Sequence, residues 1–240
     1  DNKMSRRQQM VGYSFSHQFD DTFTVRQNLR YANVHTLYRS VYGNGYTPTG
    51  KINRAYVRSD ENLNTFTVDT QLQSDFATGA VGHTLLTGVD YSRMRNDVNA
   101  DYGTASALDM QNPQYGNANV SVNFPYSVLN RMEQTGLYAQ DQMAWDKWVM
   151  TLGGRYDYAM ASTLTRPANT LAKNHDQQFT WRGGINYLFD NGISPYFSYS
   201  QSFEPVSGSS RDGKPFDASH GEQYEAGVKY VPCLLYTSPS

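Results

Sequence analysis

The chain has 240 residues, with 20 Lys and Arg against 22 Asp and Glu, and its formal net charge of -2 gives no electrostatic reason to expect a nucleic-acid partner. Hydrophobic residues make up only 38% and mean hydropathy is -0.66, yet there are 19 Tyr and 11 Phe, so the apolar surface is aromatic rather than aliphatic. No run approaches the roughly 18 consecutive apolar residues of a membrane helix, so any bilayer span would have to be built from strands closed into a barrel.

The opening Asp1-Asn2-Lys3-Met4 lacks a cationic region followed by an apolar one, and no signal peptide is expected within the chain. Over residues 9–19, Val11, Tyr13, Phe15 and Phe19 alternate with Gly12, Ser14, Ser16 and Gln18. That period of two predicts a strand. Asp20-Asp21 turns the chain, and residues 22–33 repeat the design with Phe23, Val25, Leu29 and Tyr31 against Thr24, Arg26, Asn28 and Arg30. A long polar loop is expected over 34–62. A third strand over 63–76 turns at Thr78-Gly79 into a fourth over 83–95, and a second long loop is expected over 96–130. A fifth strand over 133–145 turns at Asp146-Lys147 into a sixth over 148–158, where Trp148, Met150, Leu152, Tyr156 and Tyr158 share a face. A third long loop is expected over 159–177.

The hairpin at 179–203 is the clearest element. Phe179, Trp181, Gly183, Ile185, Tyr187 and Phe189 oppose Thr180, Arg182, Gly184, Asn186 and Leu188; Asp190-Asn191-Gly192 supplies the turn; Pro195, Phe197 and Tyr199 then oppose Ser194, Ser198 and Ser200. Taken alone, it fits a soluble sandwich with one wet face as well as a barrel with aromatics outside and polar groups inside. Repetition decides. A fourth long loop over 204–221 and a last strand over 222–231 complete roughly nine strands whose connections alternate short and long, the order of outer-membrane barrels, whose short turns face the periplasm. The predicted fold is all-β: an antiparallel transmembrane β-barrel, present in part, because bacterial barrels have even strand numbers.

After Tyr230-Val231-Pro232 the pattern stops. Cys233-Leu234-Leu235-Tyr236-Thr237-Ser238-Pro239-Ser240 resembles the translated end of a transposon adapter used in sequencing libraries, so residues 233–240 are expected to be a non-native tail and residues 1–232 the barrel domain. No nucleophile-elbow, zincin, Cys-x-x-Cys or P-loop pattern occurs, so no enzyme is expected. His17, His35, His83, His175 and His220 are scattered without the spacing of a metal site.

Several segments resemble the TonB-dependent siderophore receptors: Arg155-Tyr156-Asp157 after Thr151-Leu152-Gly153-Gly154, the stretch from Tyr196 to Pro205, and the stretch from Gly221 to Tyr230. Met10 to Phe15, Asp21 to Arg30, His83 to Asp90 and Phe179 to Gly184 are similar more narrowly to the ferrichrome, or ferric hydroxamate, branch of that family. The resemblance implies a 22-stranded outer-membrane barrel around an N-terminal plug that this chain lacks, importing a ferric hydroxamate siderophore with energy delivered through TonB and its inner-membrane complex. As a fragment, the chain is not expected to transport. The resemblance further implies a phage or bacteriocin receptor role, lipid around the barrel, no cofactor, and iron only as cargo. Tyr42, in Ser40-Val41-Tyr42-Gly43, and Tyr102, before Gly103, match ligand-contacting aromatics of the family. A second tyrosine of the family is replaced by Asn44, and a cysteine pair is missing, which leaves Tyr46 as the candidate substitute and the identity of the siderophore open. The polar residues Arg26, Arg30, Asp69, Gln71, Arg182, Glu225 and Lys229 point inward, toward either a plug, as the resemblance implies, or a water-filled channel. The rival readings are a passive porin-type channel, an outer-membrane enzyme and a soluble β-sandwich adhesin.

Overall fold

The computed structural model describes residues 2–116, 118–166, 168–206, 208, 210 and 212–231; the expected tail from Cys233 to Ser240 lies outside them. Nine strands form one sheet in chain order, every neighbour antiparallel: β1 (Lys3–Gln18), β2 (Phe23–Tyr46), β3 (Lys51–Thr78), β4 (Val81–Asp109), β5 (Val120–Trp145), β6 (Trp148–Thr165), β7 (Thr170–Tyr187), β8 (Ile193–Glu204) and β9 (Ser219–Tyr230).

Register converts the alternation into two continuous surfaces. Across β3 to β7, Thr70, Val89, Leu137, Tyr156 and Phe179 stand opposite one another on the outward face. One residue along, Arg26, Gln71, Gly88, Tyr138, Arg155 and Thr180 make the inward row, from β2 to β7. The outward side chains are uncovered, Leu137 being 58% exposed, and no large side chain is fully buried among the described residues. An apolar face left uncovered opposite a polar one is the pattern of a barrel wall that stands in a bilayer. Aromatics bound that face at Phe66 and Phe76 on β3 and at Trp148 and Tyr158 on β6, spacings that match the roughly 9–11 residues of a tilted bilayer-crossing strand. At the upper limit, Tyr31 and Tyr156 donate their hydroxyls to Asn64 (3.0 Å) and Gln177 (2.8 Å), as amphipathic rings do at a polar boundary.

One end of the sheet has tight turns at 19–22, 79–80, 146–147 and 188–192. Asp20 Oδ1 accepts from the backbone N–H groups of Thr22 and Phe23, while Gly79 and Asp146 adopt positive φ of 63° and 50°. At the other end the structure corrects the sequence reading. Three of the four stretches expected as long loops are mainly strand: β2 and β3 run on to a turn at 47–50, β4 and β5 to a connection at 110–119, and β6 and β7 to a turn at 166–169. Of the four, the stretch between β8 and β9 is the one whose described residues are mostly outside strands. Beyond the lipid both faces of the wall meet water, so the apolar alternation disappears while the backbone ladder continues. β3 and β4 reach 28 and 29 residues, far more than a crossing requires.

Inside the lipid-facing band, a polar network joins β3 to β6. Tyr138 donates to Asp69 Oδ1 (2.7 Å). Arg155 grips Asp90 with both terminal nitrogens and Asp157 through Nε (2.8 Å) and Nη2 (2.6 Å), while Gln134 also donates to Asp157 (2.7 Å). Two glycines make room for it. A Cβ on Gly88 would lie 2.4 Å from the Tyr138 ring, and one on Gly136 would lie 2.0 Å from Arg155 Nη2. Above the lipid, on the outer side, Arg166 at the top of β6 reaches Asp97 of β4 (2.6 Å), and its backbone N–H donates to Ser127 of β5 (3.0 Å).

Two outcomes follow from these contacts. Gly136→Ala in the full-length protein displaces Arg155 from the nearly buried Asp157 and lowers stability by about 1–3 kcal/mol in urea unfolding, whereas Gly153→Ala, whose Cβ comes no nearer than 3.3 Å to the flexible Gln140 side chain and 3.5 Å to the Ala139 carbonyl oxygen, changes it far less. The second concerns acid. The Arg166 hydrogen bond, helped by the Arg166 and Arg95 charges, holds the Asp97 carboxyl below its ordinary value. A depressed folded value means that the stabilisation is complete above the unfolded carboxylate pKa of about 3.9 and is lost as pH falls through the folded one. Exchange of the Arg166 amide should therefore accelerate below about pH 4 in the parent protein, beyond the intrinsic pH effect, and Asp97→Asn should remove that added acid dependence.

Candidate ligand-binding wall

The strands that rise above the lipid carry the tyrosines singled out by sequence. Register is unbroken from Arg26 to Tyr42 on β2 and from Asp90 to Tyr102 on β4, so strict alternation puts Tyr42 and Tyr102 on the inward face. Tyr42 pairs with Ala55, while Tyr102 pairs with Val57 on one side and Phe124 on the other. They stand two strands and two residues apart, a backbone separation on the order of 12 Å.

The same rows bring in residues that the sequence reading did not single out. Tyr38, Ser59, Ala100 and Tyr126 lie in one row, and Ser40, Val57, Tyr102 and Phe124 in the next. Tyr38, Tyr42, Tyr102, Phe124 and Tyr126 thus form one inward aromatic patch. Ser40, Ala55 and Ala100 lie between them and are buried, so small residues at the base leave half-exposed rings above. Signal for the added three was present as even spacing within 34–62 and 96–130, but those stretches were expected to be loop, where alternation has no meaning.

Local backbone devices aim the patch. The β4–β5 register shifts between Tyr102 and Gly103, and a Cβ on Gly103 would lie 2.0 Å from the Ser121 carbonyl oxygen, an approach only glycine permits. The unbroken register below sets Phe124 opposite Tyr102, and the irregularity begins only beyond that pair. Tyr46 is different: it lies beyond the irregularity at Gly43/Tyr46, is 72% exposed at the tip of the hairpin, and is not drawn into the patch by alternation.

The charged groups of these hairpins sit mainly on the opposite face. On the outward side His35 is hydrogen-bonded to Asp60 (2.9 Å), and Arg58 forms ion pairs with Asp60 (3.2 Å) and Asp101 (3.3 Å). At the mouth, backbone N–H groups of Gln111 and Asn112, with Lys51 nearby, hold the Asp109 carboxyl below its usual range. Inward, Glu61 stands at the base of the patch and accepts from Ser59 (2.6 Å). Among the described residues, no hydrogen bond engages the phenol groups of Tyr38, Tyr42, Tyr102 or Tyr126, and no group of three or more His, Cys, Asp or Glu could hold a metal ion. Rings with free hydroxyls suit a bulky, mostly uncharged ligand that brings its own metal-binding atoms.

Lower on the inward face, Arg26 donates to Gln73 (2.7 Å), Asp69 takes Tyr138 and Gln71, and Glu225 accepts from Tyr196 (2.6 Å), with Lys229 over the Tyr196 ring at 5.2 Å. Arg30 and Arg182 share that face in the register.

Comparison with known proteins agrees with this architecture. The family model described as "TonB dependent receptor-like, beta-barrel" matches residues 1–237. The chain is 53% identical over 258 aligned residues to the ferrichrome outer membrane transporter/phage receptor of Escherichia coli (strain K12), covering 96% of this chain and 34% of that protein. It is 38% identical over 230 residues to the ferrioxamine B receptor of Salmonella typhimurium (strain SL1344), covering 96% and 33%. Among solved structures, the closed form of the ferric-catecholate import receptor Fiu from E. coli K12 superposes with a TM-score of 0.77 at 18% identity, over 98% of this chain and 39% of that one. The chain spans about a third of the length of the curated relatives it matches. It belongs to the TonB-dependent receptor family, as a nine-stranded stretch of that family's outer-membrane β-barrel.

Proposed function

We propose that the whole protein imports a ferric hydroxamate siderophore of the ferrichrome type across the outer membrane, and that Tyr42 and Tyr102 contact the chelate. The inward aromatic patch is the observation that carries this reading: neutral rings and free phenols above the lipid band fit a ligand whose iron is already enclosed by its own oxygens. Kinship to proteins named for ferrichrome and ferrioxamine B supports the hydroxamate class. Phe124 and Tyr126 extend the contact surface, and Tyr46 serves as a peripheral contact at the hairpin tip.

The inward network from Asp69 to Asp157 then faces a plug supplied by another part of the protein, in a barrel of 22 strands, with residues 233–240 foreign to it. TonB and its energising complex act through that plug. A phage receptor role follows the name of the E. coli relative. The receptor family favours this importer over a passive porin-type channel.

In the full-length protein, Tyr42→Ala and Tyr102→Ala should each weaken ferrichrome binding about tenfold, the loss of one well-placed aromatic contact, while heat-modifiable migration of the barrel stays normal. Titration with ferrichrome and with linear ferrioxamine B, followed by intrinsic fluorescence, reads both affinity and preference. Unchanged affinity in both variants would remove these residues from the site. Uptake that persists in cells without TonB would overturn the importer reading itself.

A further inference from the structure

Above the lipid, the inward wall of β2 to β5 carries a single formal charge. From the row of Ala32, Thr65, Met94 and Met132 up to Tyr42 and Phe124, register is unbroken, and every inward residue on those strands is uncharged except Glu61. Glu61 pairs with Thr36 on one side and Val98 on the other, one inward step below the row of Tyr38, Ser59, Ala100 and Tyr126. Its carboxylate leans upward, because Ser59 Oγ, in that row, donates to Oε1 at 2.6 Å. Ser59 and the buried Ala100 put only small side chains between Tyr38 and Tyr126, which leaves the way to the carboxylate free of bulk.

No cation answers this charge. The outward neighbour Asp60 has Arg58 at 3.2 Å and His35 at 2.9 Å, whereas Glu61 forms no ion pair with any described residue and its Oε2 takes no hydrogen bond from one. Arg6, in the same inward row across β2, is turned instead to Gln8 (3.5 Å). A carboxylate on an otherwise neutral wall disfavours anions and favours a ligand that brings a cation. Along β3, Glu61 lies four residues below Val57, the partner of Tyr102, a distance of about 13 Å. The body of a chelate held between Tyr42 and Tyr102, together with a flexible aminoalkyl arm, covers that span.

We propose that Glu61 binds the protonated amine of a ferric hydroxamate that carries one, so that such a cationic chelate is held more tightly than the same chelate without the charge. The inference rests on the hydroxamate reading of the aromatic patch and assigns a contact to the part of the ligand that is not the chelate. The ammonium donates to Oε2, Ser59 keeps Oε1 in place, and the rings of Tyr38 and Tyr126 flank the arm. The same carboxylate repels chelates with net negative charge, as ferric catecholates have.

The test titrates the full-length protein, followed by intrinsic fluorescence, with three iron complexes: ferrioxamine B, whose free end is an ammonium; its N-acetyl derivative, with the same chelating groups and no charge there; and ferrichrome, which has no amine. The parent protein should bind ferrioxamine B about fivefold to tenfold more tightly than the N-acetyl derivative, as expected for one charge-assisted contact, and the gap should narrow with added salt. Glu61→Gln should erase the gap by weakening ferrioxamine B alone, with the other two affinities and heat-modifiable migration unchanged. Equal affinity for the two linear complexes in the parent, or a gap that survives Glu61→Gln, would overturn the assignment and leave the aromatic patch standing. Loss of all three complexes in Glu61→Gln would also overturn it, making Glu61 a brace of the interior rather than a ligand contact. A parent protein that binds none of the three would instead sink the hydroxamate reading, and this contact with it.

Discussion

Everything in this chain depends on the backbone ladder. Within hydrocarbon, a peptide group without a hydrogen-bond partner costs several kcal/mol, so strands cross a membrane only when each ladder is satisfied by its neighbours. The sheet meets that demand with nine strands paired in chain order and registers that hold for long runs, as from Gly82 to Tyr102 against β5. Once register is fixed, the side-chain period of two does the rest. A slip of one residue would turn Arg155 and Asp157 toward lipid and Leu137 and Tyr156 inward, so the two surfaces specify the register as much as the register specifies them.

The inward network shows how polar groups are kept on a curved wall without crowding. Tyr138 and Arg155 are large, and each lies across a neighbouring glycine, Gly88 and Gly136. Those glycines cannot be explained by turns, since both lie inside strands where glycine weakens pairing. Their cost is offset by the contacts they admit, which satisfy three carboxylates, Asp69, Asp90 and Asp157, from two side chains and two glutamines. The wall is thereby pre-ordered before anything occupies the interior.

Within the lipid band the sequence was highly legible. Hydrophobic alternation located β3 to β6 there to within a few residues, and the turns at Asp146-Lys147 and Asp190-Asn191-Gly192 followed from residue type. Above the band, that signal vanished for a physical reason. With water on both sides, Arg58 and Val57, or Asp101 and Tyr102, are equally at home, so composition looked like loop although the chain is strand. The same loss concealed Tyr38, Phe124 and Tyr126, whose membership in the patch depends on cross-strand register that no local pattern encodes. Tyr42 and Tyr102 were found by family likeness, and the structure adds that strict alternation puts both on one face.

Extending the strands, rather than ending them at the lipid surface, has consequences for recognition. A ring on an irregular loop must be ordered when it meets a ligand, whereas a ring on a ladder is held in place beforehand and its contact is not discounted by that entropy. Tyr42 and Tyr102 stand on hairpins cross-braced on the outward side by Arg58 and Arg166, so the charges that stiffen the wall are kept off the inward aromatic patch. The tip beyond Gly43, with Tyr46, lies outside this bracing and remains open to the solvent. The inner patch and the rim therefore differ in kind: the positions of Tyr42 and Tyr102 are set by register, whereas Tyr46 lies beyond the irregularity and is the most exposed of the three.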